Sequence, residues 1–254
     1  MHSTRRLFLQ TAAAGSVTLL PIAARAAGHA SDVFTTDAGD IAVHPVAHAS
    51  VVLDPPAGTI YIDPVGDAAQ YADFPAPDLI LVTHEHGDHY NADLLAAIKG
   101  AATLITNPAV AAMLPEGLQA NSGQLANGES VTWNDVTIDA IPAYTLTEER
   151  KNFHPMGRDN GYVLGLAGFT IYVSGDTEDI PDMRALTGID LAFVCMNLPF
   201  TMPASAAADA VREFAPTYVY PYHYRGRDDG TQDPQEFATL VGDASEVKFG
   251  NWYG

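Results

Sequence analysis

The chain reads as short apolar, β-branched runs separated by turn-forming residues, with a few helical patterns between them. Runs at residues 41–43, 50–53, 59–62, 79–83, 103–106 and 130–133 predict strands, as do those at 136–141, 162–166, 170–174, 191–194, 218–220 and 247–249. Alanine-rich stretches or 3.6-residue periodicity predict helices over residues 92–98, 109–114, 205–214 and 234–241. No linker, repeat or low-complexity tract interrupts residues 27–254. This pattern predicts one α/β domain in which strands outnumber helices and fall into two strand-rich halves.

The first residues follow a different pattern. Thr4, Arg5, Arg6, Leu7, Phe8, Leu9 and Gln10 form a twin-arginine segment, followed by a small-residue apolar run over residues 11–23. That run contains Gly15 and Pro21 and is shorter than the roughly 20 apolar residues needed to cross a bilayer. Ala24, Arg25 and Ala26 supply an A-x-A cleavage site, so residues 1–26 are read as a twin-arginine signal peptide. The expected partner is the twin-arginine export machinery. The expected location is periplasmic or secreted, with no stable membrane insertion once the leader is gone.

Composition narrows the partners further. The formal charge of −19 becomes −22 when Arg5, Arg6 and Arg25 leave with the leader. Such a surface repels phosphate backbones, which excludes nucleic acid and leaves a small-molecule substrate. The single cysteine, Cys195, forbids an intrachain disulfide, and its place in the apolar run 191–196 predicts a buried thiol rather than a nucleophile.

The strongest chemical signal is Thr83-His84-Glu85-His86-Gly87-Asp88-His89, directly after the apolar run at 79–82. Its side chains therefore emerge at the end of a buried strand. The H-x-H pair can aim two imidazoles at one metal, and Asp88 with His89 can turn toward a neighbouring point, with Gly87 permitting the tight backbone turn. Further candidates sit where predicted strands meet loops: His154, Asp176 in Gly175-Asp176-Thr177, and His223 in Pro221-Tyr222-His223.

These residues resemble the metallo-β-lactamase superfamily, whose H-x-H-x-D-H motif is matched by His84, His86, Asp88 and His89. The resemblance runs over nearly all of residues 27–254, with Asp63, His154, Asp176 and His223 in the family's order. Phe153-His154-Pro155, Gly175-Asp176-Thr177, the stretch 200–208 and Pro221-Tyr222-His223 look like the ascorbate-6-phosphate lactonase-like branch.

The resemblance implies an αββα sandwich, two mixed sheets flanked by helices. It implies two divalent ions, the first held by His84, His86 and His154, the second by Asp88, His89 and His223, with Asp176 shared. Imidazole and carboxylate donors without thiolate suit zinc, manganese or iron, and ligand type alone does not choose among them; zinc is the leading expectation. Asp63 is expected to orient a ligand histidine, and His48 to be a supporting residue beside the site rather than a ligand.

The activity implied is hydrolysis of a small ester, lactone or phosphodiester by water activated between the ions, with Asp88 orienting that water. The competing reading is a metal-binding or redox member of the fold without hydrolytic turnover. β-Lactamase action itself is disfavoured, because Asp176 stands where those enzymes' main groups carry a cysteine. Tyr144, Arg158, Tyr222 and Tyr224 lie near ligand motifs, where each can contact developing charge or equally pack or face solvent.

Overall fold

The computed structural model describes residues 32–253. The proposed leader, residues 1–26, lies outside the described residues. Two seven-stranded sheets hold the chain, each in strict sequence order. The first comprises β1 (Asp32–Thr36), β2 (Gly39–Ala47), β3 (Ser50–Asp54), β4 (Ile60–Ile62), β5 (Leu79–Val82), β6 (Thr103–Thr106) and β7 (Ser122–Gln124). The second comprises β8 (Ser130–Trp133), β9 (Val136–Ala143), β10 (Asp159–Leu166), β11 (Phe169–Val173), β12 (Leu191–Cys195), β13 (Tyr218–Tyr222) and β14 (Glu246–Val247).

Both sheets are mixed in the same way. β1 to β4 and β8 to β11 pair antiparallel as hairpins. From β4 to β7 and from β11 to β14 the pairing is parallel. Parallel neighbours need long crossovers. These carry the helices: α1 (Ala92–Ile98), α2 (Pro108–Met113) and α3 (Glu116–Gln119) for the first sheet, and α4 (Pro181–Arg184), α5 (Ala204–Phe214) and α6 (Pro234–Val241) for the second.

Side-chain alternation along β5 shows how the layers stack, since successive residues face opposite sides. Leu79 and Leu81 join Ile138 and Leu164 of the second sheet in one core. Ile80 and Val82 join Leu94 and Leu95 of α1 and Val110 of α2 in another. The first sheet is thus covered on both faces, which is why this strand is apolar throughout. On the second sheet Ala207, Ala208 and Val211 of α5 and Phe237 of α6 extend the larger core. The result is the αββα sandwich that the family resemblance implied.

Helix starts follow local chemistry. Asn91 and Asn107 accept hydrogen bonds from Leu94 and Val110 backbone N–H groups, and Pro108 and Pro234 occupy first-turn positions. Two strands and two α-helices are absent from the sequence-based reading, β1, β7, α3 and α4, as are short 3-10 turns at Ala68–Tyr71 and Gly242–Ala244. β7 reads Ser-Gly-Gln and has no apolar residue, so it exists only because β6 offers it hydrogen-bonding partners. The strand expected at 247–249 is instead Glu246–Val247, and Phe249 is exposed. Cys195 is fully buried, and burial pushes its thiol up to about 12, as an inert core residue requires. Among the described residues no helix is long and apolar enough to cross a membrane.

Candidate metal centre

Parallel strands in one sheet end together, and here the loops after β4, β5, β11 and β13 converge on one another. Asp63 follows β4, His84 to His89 follow β5, Asp176 follows β11 and His223 follows β13. Asp63 and His223 both adopt the left-handed backbone region, with φ of 44° and 48°. Such conformations in non-glycine residues are strained and cluster where surrounding structure enforces a particular side-chain direction. Gly175 has φ +59°, and a Cβ there would lie 2.6 Å from the Asn160 carbonyl oxygen, so only glycine lets the chain deliver Asp176.

Four of the histidines, His84, His89, His154 and His223, are held from behind. Thr83 donates its backbone N–H and its hydroxyl to the two Asp63 oxygens, both at 2.7 Å. With its proton committed to Asp63, the Thr83 hydroxyl oxygen accepts from His84 Nδ1 at 3.0 Å. His89 Nδ1 lies 2.7 Å from Asp63 Oδ2, and His154 Nδ1 lies 2.9 Å from Asp159 Oδ2. The Asn197 side-chain amide contacts His223 Nδ1 at 2.9 Å. These contacts turn the Nε2 atoms inward, the arrangement that metal-binding imidazoles use. His86 points the other way round, its Nδ1 lying 3.1 Å from His84 Nε2.

Asp176 sits among them. Its Oδ1 is 3.4 Å from His89 Nε2, and its Oδ2 is 3.4 Å from both His154 Nε2 and His223 Nε2. Burial works against the Asp176 charge, yet His223 and His89 outweigh it and hold the carboxyl well below the usual carboxylate range. Burial and the neighbouring His89 hold His84 well below 6.5, hence neutral and able to donate a lone pair. Asp88 is half exposed, with Oδ2 at 3.1 Å from His48 Nε2 and 3.5 Å from His223 Nε2. Although partial burial opposes it, hydrogen bonding to His223 and His48 lowers the Asp88 carboxyl too.

A cation fits this arrangement. Nε2 of His89, His154 and His223 and Oδ1 of Asp176 are buried without a hydrogen-bond partner among the described residues. Buried polar atoms are almost always satisfied, and their mutual spacing of 3.4 Å is longer than an ordinary hydrogen bond. Three groups bring one donor atom per residue within 4.8 Å of one another: His84, His86 and His154; His84, His89 and Asp176; and His48, Asp88 and His223. All nine residues named from the sequence, including Asp63 and His48, therefore meet in one cluster.

Three supporting residues were given no role from the sequence: Thr83, Asp159 and Asn197. Asn197 carried a signal, being a polar residue at the end of the apolar run 191–196. Arg158, a candidate for contact with developing charge, is instead tied to Glu85 at 2.9 Å and to Asp159 at 2.6 Å. Tyr222 is fully buried against Phe193 and Trp252, and the Tyr144 hydroxyl donates to Asp182 at 3.3 Å. Tyr224 packs edge-on against Tyr253. The loop bearing His154 is clamped by Glu178, which accepts from the Leu146 and Thr147 backbone N–H groups and from Arg150 at 2.6 to 2.7 Å.

Known proteins resemble this chain in sequence and in fold. A family profile described as a beta-lactamase superfamily domain matches residues 42–223. A UPF0173 metal-dependent hydrolase of Thermococcus kodakarensis is 36% identical over 174 residues, which is 67% of this chain and 77% of that protein. One from Lysinibacillus sphaericus is 33% identical over 171 residues, 65% of this chain and 75% of that protein. The solved structure of a Parabacteroides distasonis protein assigned as a metal-dependent hydrolase superposes with TM-score 0.76 at 35% identity, covering 88% of this chain and 99% of that one. The diiron β-hydroxylase CmlA of Streptomyces venezuelae, at TM-score 0.63 and 17% identity over 80% of this chain and 52% of its own, shares the fold. Because the matched span encloses every histidine and carboxylate of the cluster, the sequence motif, the strand-end geometry and the relatives converge: the chain belongs to the metallo-β-lactamase superfamily and, within it, to the UPF0173 family of metal-dependent hydrolases.

Proposed function

We propose that this hydrolase cleaves a small ester, lactone or phosphodiester at a centre for two divalent ions. The observation that carries the reading is the set of buried, partnerless donor atoms on His89, His154, His223 and Asp176. In this reading His84, His86 and His154 hold one ion, Asp88, His89 and His223 hold the other, and Asp176 is shared. Zinc is taken as the leading metal, with manganese and iron as alternatives, since imidazole and carboxylate donors without thiolate suit all three. When bound, such ions polarise the scissile group and lower the pKa of water toward roughly 7.

The residues do the rest. Asp63, Asp159 and Asn197 hold three imidazoles in place from behind. Asp88, the half-exposed carboxylate of the cluster, presents an oxygen that can accept a hydrogen bond from the attacking water and orient it. The likeness of Phe153-His154-Pro155 and Gly175-Asp176-Thr177 to the ascorbate-6-phosphate lactonase-like branch supports a lactone within that substrate class.

The test is metal analysis of the purified protein followed by turnover of lactones, phosphodiesters and acyl esters. Two ions per chain, and turnover of one class that chelation abolishes and metal restores, are expected. Two ions with no turnover in any class would favour a binding protein and defeat the hydrolytic reading.

The same reading includes export through the twin-arginine route, which moves folded proteins and suits a chain that takes up its metal before crossing. Arg5→Lys together with Arg6→Lys is expected to leave precursor in the cytoplasm, measured by fractionation. Unchanged export would sink the leader assignment.

A further inference from the structure

We propose that His48 is itself a ligand of the second ion, through Nε2, with Tyr253 setting its orientation; this rests on the two-ion reading above. His48 lies in the tight turn between β2 and β3, with φ of 52°. It thus shares the left-handed backbone of Asp63 and His223, the other residues of the cluster forced into this region. A side chain that only filled space at a hairpin turn would be replaced there by glycine or asparagine at no cost.

The ring is placed as a donor. Its Nε2 lies 3.1 Å from Asp88 Oδ2, and its centroid is 3.9 Å from that of His223. Donor atoms of His48, Asp88 and His223 fall within 4.8 Å of one another, while His89 groups instead with His84 and Asp176. The side assigned to the second ion is therefore built as much around His48 as around His89.

The far side of the ring follows the same rule as its neighbours. His84, His89, His154 and His223 each have Nδ1 against a fixed polar group, namely Thr83, Asp63, Asp159 and Asn197. His48 Nδ1 has the Tyr253 hydroxyl at 3.0 Å. That hydroxyl is itself fixed: it accepts from the Arg225 backbone N–H at 3.3 Å, and the Arg225 guanidinium lies over the Tyr253 ring at 4.2 Å. The His48 backbone N–H in turn donates to the Trp252 carbonyl at 3.4 Å. Segment 252–253 thus holds His48 against Asp88, as Asp159 holds His154 against Asp176.

The two roles open to His48 require opposite tautomers. A bystander donates Nε2–H to Asp88 and accepts at Nδ1 from Tyr253. A ligand keeps the proton on Nδ1, donates it to the Tyr253 oxygen, and offers a bare Nε2. With His48 added to Asp88, His89, His223 and the shared Asp176, the second position exceeds the four donors of a tetrahedral zinc site.

The experiment uses the full chain loaded with Co²⁺. Each ligated imidazole then gives one exchangeable N–H proton resonance strongly shifted by the paramagnetic ion, and visible absorption strengthens as coordination number falls. His48→Asn is the main variant, because asparagine tolerates positive φ and is too short to reach the Nε2 position. Expected are two ions in the wild type, one fewer shifted imidazole N–H in His48→Asn, stronger visible absorption, and second-ion affinity weaker by on the order of 10- to 100-fold. First-ion affinity should not change. Tyr253→Phe leaves the ring in place and covers the case in which His48→Asn does not fold. It should keep the count of shifted signals while the His48 N–H exchanges faster. An unchanged set of shifted signals in His48→Asn with two ions bound, or unchanged exchange throughout in Tyr253→Phe, would overturn the role of His48 alone. A wild type that takes up a single ion would overturn the two-ion reading as well.

Discussion

Asp176→Ala is expected to lower hydrolysis by about 100-fold or more, the scale seen when a preorganised electrostatic element is removed from an active site. The carboxylate is buried and touches Nε2 of His89, His154 and His223, which arrive from three separate loops. No other carboxylate of the cluster reaches all three. Its loss removes the negative charge that would let two cations sit close together, so metal content should fall with activity. The fold should survive, because Asp176 contributes nothing to either apolar core. Circular dichroism, metal content and turnover measured on one preparation check this. A folded variant with both ions and near-normal turnover would refute the shared role.

The same contacts give the chelated protein a pH signature with a definite sign. Against burial, Asp176 raises His89 and His223 above 6.5, and those imidazoles hold Asp176 well below 3.8. Raised histidines stabilise fully below 6.5, and that contribution is lost as pH rises through their folded values. A depressed carboxylate stabilises above 3.8, and that contribution is lost as pH falls through its folded value. The chelated wild type should therefore be most helped by this cluster between 3.8 and 6.5, and Asp176→Ala should flatten the dependence on both sides.

Asp63→Asn is expected to destabilise the protein by about 3 kcal/mol, because a buried charged acceptor of several hydrogen bonds is lost. Asp63 is fully buried and accepts from the Thr83 N–H, the Thr83 hydroxyl and His89 Nδ1, all at 2.7 Å. Asparagine preserves volume and tolerates the φ of 44°, so backbone strain does not confound the result. Its amide nitrogen must nevertheless face one of those donors. Chemical denaturation of the metal-free protein measures the effect, and a loss below about 1 kcal/mol would show that the network is not fully desolvated. Because Thr83 also holds His84, second-ion and first-ion affinities should both decline.

Much of this molecule is written locally along the chain. β5 is legible because its four apolar residues are covered on both faces, and the run is followed at once by the motif at 84–89. α5 and α6 are legible because each buries one side at helical spacing. That His84 to His89 and His223 belong to the site could be read from their place after parallel strands, whose C-terminal ends share an edge, whereas His154 and His48 lie between antiparallel strands.

Other features have no local cause. β7 has no apolar residue and is a strand only by pairing with β6. His48 is expected beside the site only through the family resemblance, since nothing in the turn itself fixes its partners. It gains its position from Asp88, 40 residues later, and from Tyr253, 205 residues later. Asp63 likewise meets His89 across 26 residues, through neighbouring strand ends rather than through the chain.

Hydrophobic alternation along the chain predicts one α/β domain in two strand-rich halves, and the resemblance carried by the dense H-x-H-x-D-H motif supplies the two-sheet sandwich and the candidate histidines and carboxylates, because such patterns act over a few residues. Which nitrogen of each imidazole faces inward, which groups stand behind it, and that His48 contacts Asp88 and His223 in particular, emerge in the folded chain. Those facts depend on hydrogen bonds and close packing between strand ends that are distant along the chain and adjacent only once both sheets have formed.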